Sequence, residues 1–428
     1  MKFSFRHKSK GFIYVAAERL LPWQIHNQFR RVNISGLERI PYDQPVLLAA
    51  NHPTAFIDPV LLGNFVDPPI YFMTRGDIFM KPFARKLLEE INMFPVKRLR
   101  DGFSGADRLD ETTEYVVNRL RERNTLCIFT EGQHHHDKRI LTMQKGIARL
   151  AFAAYEQLQQ DDLQVIPVGC SYWHPEQIRD VAFFNGGTPL LVKDYYPLYQ
   201  TSPAQAINKL LRDISDQLKQ LAFHIESPED DKLVERLLTL HRSEHPIGHF
   251  PVVRQDKTQF DAEKRVIDWV NGMEAEQKAA LNQRVKHYLR RVSAAGLRDD
   301  ALLHPQWAGF TRWIILLLGL PLFIPGWIAR RPIVALAHYV TTKKIKKTEF
   351  KTSIWFGVEL FAGLLWLLLL ILIGALSHQP VALGVALSLP VLYTFSIIYA
   401  EVADRAFAAL KALRHPDRKA LTDERKTL

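Results

Sequence analysis

Short apolar runs and amphipathic stretches alternate between residues 31 and 200. Runs of strand length fall at Val46–Ala50, Ile70–Met73, Leu126–Phe129, Val165–Cys170 and Leu190–Val192, with a shorter one inside Asn92–Arg98. Between them, Pro82–Ile91, Ala106–Arg121 and Gly146–Leu158 repeat apolar residues at three and four, the period of a helix with one buried face. The alternation predicts an α/β domain, a sheet covered by helices. Pro167 disfavours an interior ladder position and marks its strand as an edge. Residues 226–305 are charged and helical in pattern, and predict a helical extension without evident chemistry.

After about residue 310 the pattern turns apolar. Ile354–Ser377 and Val381–Ala400 are each long enough to cross a hydrocarbon core of about 30 Å. Only Ser377–Pro380 separates them, so they predict a C-terminal transmembrane helical hairpin. Trp313–Ala329 is shorter and interrupted by Pro321, Pro325 and Gly326, and predicts a re-entrant or interfacial segment. Near the N-terminus, Gly11–Trp23 behind Lys8 and Lys10 fits either an interfacial helix or an ordinary packed one. The expected organisation is an N-terminal helix over 1–30, a catalytic domain over 31–225 and the helical extension over 226–305. A membrane region over 306–428 follows, with a re-entrant segment 313–329, spans 354–377 and 381–400, and a basic tail.

Charge orients the hairpin. Lys343, Lys344, Lys346, Lys347 and Lys351 precede the first span, and Arg405, Lys411, Arg414, Arg418 and Lys419 follow the second. The positive-inside rule puts both flanks in the cytoplasm, and two spans put the N-terminal domain there too. Over the 428 residues, 56 Lys and Arg against 45 Asp and Glu leave a net charge of +11, so an anionic partner is expected. A phospholipid membrane fits the spans. Nucleic acid does not, because no basic stripe is interleaved with aromatics. The two cysteines, Cys127 and Cys170, lie in apolar runs and exclude a disulfide scaffold. The basic start lacks a long apolar core and a cleavage site, so no cleaved signal peptide is expected.

The candidate chemistry gathers where the strands end. Val46–Ala50 runs into Asn51-His52, and Asp58 follows six positions after the histidine. A histidine at a strand exit beside a carboxylate can serve as a general base. Asp58-Pro59 equally reads as a helix N-cap followed by proline at the first helical position. Phe94–Val96 leads to Lys97-Arg98; Leu126–Phe129 leads to Thr130-Glu131-Gly132; Lys145-Gly146 opens a helix whose free amides suit an anion. His134-His135-His136 tempts a metal reading, but no second ligand group stands at zinc spacing, so no metal is expected.

In order and spacing, Asn51–Asp58, Phe94–Arg98, Phe129–Gly132 and Val165–Gly169 resemble the four blocks of the PlsC-type glycerolipid (lysophospholipid) acyltransferases, over roughly residues 30 to 225. That family shows N-H-x-x-x-x-D, a block ending in arginine, F-P-E-G, and an apolar block with proline. Here five residues separate His52 from Asp58, a spacing similar to that of the yeast-type glycerol-3-phosphate acyltransferases, and Thr130 replaces the proline of F-P-E-G. The resemblance implies acyl transfer from acyl-CoA or acyl carrier protein to a glycerophosphate hydroxyl, with no cofactor. Its leading acceptor would be 1-acyl-glycerol-3-phosphate, which the general family favours, with glycerol-3-phosphate as the alternative that the longer spacing hints at. It implies His52 as base and Asp58 as the group that fixes its tautomer. Arg98 and Lys145 would meet the acceptor phosphate, Glu131 and Gly132 its glycerol part, and Asn51 would lie in the substrate site. Amides of the Asn51–Thr54 turn are candidates for the oxyanion hole. A silent lipid-binding protein is the alternative, which intact His52, Asp58, Arg98 and Glu131 oppose.

Overall fold

The computed structural model describes residues 12–96 and 107–428 and divides the chain into two compact units, residues 1–224 with 253–257, and residues 225–252 with 258–428. The first unit is built on one nine-stranded sheet. Its strands are β1 (Phe29–Ser35), β2 (Val46–Ala50), β3 (Ile70–Arg75), β4 (Met93–Val96), β5 (Thr125–Phe129), β6 (Gln164–Tyr172), β7 (Asp180–Gly186), β8 (Leu190–Leu191) and β9 (Val253–Arg254). Their order is β4-β3-β5-β2-β6-β7-β1-β9, with β8 against β6. Every pair is parallel except β6–β7 and β6–β8. Helices α1 (Phe12–Gln28), α2 (Ile57–Phe65), α3 (Pro82–Glu90), α4 (Asp107–Arg121), α5 (Gly146–Leu158), α6 (Tyr196–Thr201) and α7 (Pro203–Leu221) belong to the same unit. One core cluster joins Leu47, Leu126 and Val165 of the central strands to Val116, Leu120, Ile147, Ala151 and Phe152 of α4 and α5. Near-continuous burial along β2 and β6 is what a parallel sheet covered by helices requires.

Two sequence expectations change here. The strand holding Pro167 is interior, not an edge. Pro167 falls between the stretch of β6 that pairs with β8 (Gln164, Val165) and the stretch that pairs with β7 (Val168–Tyr172), so its missing donor interrupts neither ladder. Residues 226–305 are not purely a helical extension: Val253 and Arg254 return to the first unit and pair with Val32 and Asn33.

The second unit holds α8 (Asp231–Glu244), α9 (Thr258–Asn271), α10 (Ala275–Ala294), α11 (Asp299–Leu303) and α15 (Arg418–Lys426) with three long apolar helices. These are α12 (Phe310–Tyr339), α13 (Lys351–Leu376) and α14 (Pro380–Arg414), each long and apolar enough to cross a membrane. In the first of these the segment 313–329 is not interrupted at its prolines. Pro321, Pro325 and Pro332 all lie inside one continuous helix. Side chains of the neighbouring helices bond its backbone beside these prolines: Tyr399 OH donates to the Leu316 carbonyl at 2.7 Å and Trp366 Nε1–H to the Ala329 carbonyl at 2.9 Å. Glu359 of α13 is buried, accepting from Tyr393 OH at 3.0 Å and pairing with Arg330 at 3.3 Å. Trp313 packs edge-on against Phe407, and Gly326 lies against Leu392. The start of α12 and the far part of α14 therefore share one end of the bundle, and the chain leaves the apolar region at the end where it entered.

Candidate active site

The site forms where β2 ends at the centre of the sheet. Ala50 registers with Phe129 of β5 on one side and Val168 of β6 on the other, so three strands converge on the residues that follow. The C-terminal ends of parallel strands are where open α/β sheets hold ligands. Asn51-His52-Pro53-Thr54 turns the chain back, and α2 begins at Ile57. Asp58 therefore lies within the first turn, with Phe56 at the cap position. Its carboxylate does not cap the helix; it reaches back over the turn.

Asp58 is wholly buried and accepts four hydrogen bonds. Oδ2 takes His52 Nδ1–H at 2.9 Å and the Thr54 N–H at 2.9 Å. Oδ1 takes the Thr54 hydroxyl at 2.8 Å and the Tyr172 hydroxyl at 2.6 Å. An ionised carboxylate only accepts, so Nδ1 of His52 carries the proton and Nε2 keeps its lone pair. The His52 ring stacks on Phe129 with centroids 3.8 Å apart and stays partly exposed; His134 stands edge-on to it at 5.8 Å. Burial, and then the charge of Asp58, push the Tyr172 phenol well above its usual range, so it remains a donor. The same two causes push up the thiols of Cys127 and Cys170.

Glu131 is equally engaged. Oε1 accepts from the Leu141 N–H at 2.8 Å, while Oε2 accepts from the His52 N–H at 3.2 Å and His135 Nε2–H at 3.0 Å. The His135 N–H returns a bond to the His52 carbonyl at 3.1 Å. This buried carboxylate binds the loop after β5 to the backbone of the candidate base. Gly132 adopts φ +70°, a left-handed turn that suits glycine.

Several residues sit differently from expectation. Asn51 is buried and both ends of its amide hold Cys170, donating to its carbonyl at 2.9 Å and accepting from its N–H at 2.7 Å. It clamps β2 to β6 rather than facing a substrate. Of the amides expected for an oxyanion hole, two are already used, His52 N–H by Glu131 and Thr54 N–H by Asp58, and Pro53 has none. Lys145 is exposed just before α5, where the Gln144 N–H bonds the Thr130 carbonyl at 2.8 Å and so brings it beside the end of β5. Arg98 lies outside the described residues. Thr54 and Tyr172 were missed: a threonine two places after a histidine is a common turn residue, and Tyr172 reaches Asp58 only through the pairing of β6 with β2.

A fixed Asp–His pair with Nε2 open is an arrangement that can serve as a general base. Residues 31–171 match the Acyltransferase family model. The chain is 26% identical over 313 residues to an uncharacterized acyltransferase of Schizosaccharomyces pombe, covering 68% of this chain and 42% of that protein. It is 25% identical over 296 residues to glycerol-3-phosphate O-acyltransferase 2 of Saccharomyces cerevisiae, covering 64% and 38%. It thus spans about two fifths of the length of these curated relatives. Among solved structures, the crystal structure of the 1-acyl-sn-glycerophosphate (LPA) acyltransferase PlsC from Thermotoga maritima aligns over 49% of this chain and 79% of that one, at 19% identity and a TM-score of 0.35.

Proposed function

We propose that the protein is a membrane-bound O-acyltransferase that moves a fatty acyl group from an acyl thioester to a glycerophosphate hydroxyl. The observation that carries this reading is the 2.9 Å bond from His52 Nδ1 to Asp58, which leaves Nε2 open to take the hydroxyl proton. The alkoxide attacks the thioester carbonyl, the C–S bond breaks, and the proton passes from His52 to the leaving thiolate. Asp58 stabilises the imidazolium formed on the way. No acyl-enzyme is required. Arg98 and Lys145 are the cations assigned to the acceptor phosphate. Between the two acceptors, the five-residue spacing of His52 and Asp58 and the similarity to a yeast glycerol-3-phosphate O-acyltransferase favour glycerol-3-phosphate over its 1-acyl derivative.

The membrane assignment rests on the three apolar helices and the lysines of the 343–347 loop. A chain that enters and leaves the bundle at one end fits two crossings, α13 and α14, with α12 entering the apolar layer without crossing it and the 343–347 lysines on the entry side. With basic flanks, that end is the cytoplasmic one. The test incubates the full chain, in mixed phospholipid–detergent micelles, with a labelled acyl-CoA or acyl carrier protein and each acceptor in turn. Transfer to glycerol-3-phosphate is expected, abolished by His52→Ala with unchanged circular dichroism. Undiminished transfer by that variant overturns the mechanism, and transfer only to the 1-acyl acceptor overturns the choice of substrate.

A further inference from the structure

The hydroxyl of Tyr172 has no place in the reaction as drawn, yet it makes the shortest of the four bonds to Asp58, at 2.6 Å. It comes from another strand, 114 positions away. The register that delivers it is itself fixed: Asn51 holds both backbone groups of Cys170, two residues before the tyrosine. The ring is buried, packed beside Phe29 and Phe184 with centroids at 6.4 and 6.1 Å. A phenylalanine would keep that packing and lose only the bond.

We propose that Tyr172 is a positioning residue that limits how strongly Asp58 retains a protonated His52, and so sets the acid side of the pH range in which the enzyme works. This rests on the general-base reading above. Each donor bonded to a carboxylate spreads its charge and lowers its basicity. The Tyr172 and Thr54 hydroxyls draw charge toward Oδ1, away from the Oδ2 that faces the imidazole. Without the phenol, Oδ2 holds the imidazolium more tightly and the free base becomes scarcer at a given pH. The other ionisable groups facing this pair are Glu131 at the His52 amide, His134 edge-on to the ring, and the buried thiols of Cys127 and Cys170 near Asp58. None of them donates a hydrogen bond to Oδ1.

The experiment compares the full-length protein with Tyr172→Phe and with Thr54→Val, which removes the other donor to Oδ1. The acid limb of kcat/KM is expected to move up by about one pH unit in Tyr172→Phe, about tenfold loss on the acid side that shrinks as pH rises, with little change in acceptor KM. Thr54→Val should move the limb in the same direction. In parallel, the rate at which diethyl pyrocarbonate modifies His52 is followed against pH by peptide mass spectrometry, which needs no acyl transfer. A shift of the His52 modification profile in a wild-type protein that transfers no acyl group supports the network and overturns the functional reading. An active wild-type with no shift in either profile, or a loss equal at every pH, overturns the role of Tyr172.

Discussion

Replacing Asp58 by asparagine isolates the charge of the carboxylate from its geometry. Two donors, His52 Nδ1–H and the Thr54 N–H, converge on Oδ2, and neither can reverse its direction without changing tautomer or backbone. Two hydroxyls, those of Thr54 and Tyr172, meet at Oδ1, and hydroxyls can rotate to accept. The asparagine oxygen therefore settles at the Oδ2 position with its NH2 toward the hydroxyls, and His52 keeps its proton on Nδ1. What is lost is the ion pair that forms when Nε2 takes a proton. With Nδ1 and Oδ2 2.9 Å apart, the centres of charge stand about 4 Å apart. Two unit charges at that distance interact by about 4 kcal/mol at an effective dielectric of 20. Tenfold in rate costs about 1.4 kcal/mol, so kcat for Asp58→Asn should fall by about 10³. The assay follows transfer from labelled acyl-CoA at saturating acceptor, with thermal unfolding run alongside. A loss below tenfold in a folded variant would refute the claim that Asp58 acts through its charge.

Asn51→Ala leaves the buried N–H and carbonyl of Cys170 without the side chain that pairs with both, which should cost about 3 kcal/mol measured by denaturant unfolding. The acceptor KM of that variant should change little, since the residue clamps strands; a large KM effect with full stability would restore a substrate role. In the apolar bundle, Glu359→Ala strands the Arg330 guanidinium, which is about one-fifth exposed, and should lower stability in detergent by about 2 kcal/mol. Replacing both by leucine should recover most of that loss, and a double variant less stable than the single would contradict the pairing.

The alternation of runs gave the α/β class and the places of β2, β3, β5 and β6, because fully buried parallel strands read as continuous apolar segments. β1 was harder. Arg30, Arg31 and Asn33 interrupt its pattern, and Arg31 and Asn33 are buried by partners distant in sequence. β7 has a usable signal in its apolar run Val181–Phe184 between Asp180 and Asn185. The pairing of His52 with Asp58 was legible from the motif. The duties of Asn51 and Glu131 were not, since type and spacing cannot say whether a polar group faces a ligand or the protein's own backbone. In α12, three prolines suggested an interruption, yet all lie inside one continuous helix.

The pairing of Val32 with Val253 means that the sheet-bearing unit is not a contiguous stretch of gene. β1 is the first strand synthesised and β9 the last, so one side of β1 stays open until α8 and the segment after it have been made. A fragment ending at His224 would carry every residue of the site and still present a bare parallel edge, the kind of surface on which copies of a chain join one another. Any attempt to separate the sheet-bearing unit for solution work should therefore run through Lys257, and swapping the helical unit between relatives would require two junctions rather than one.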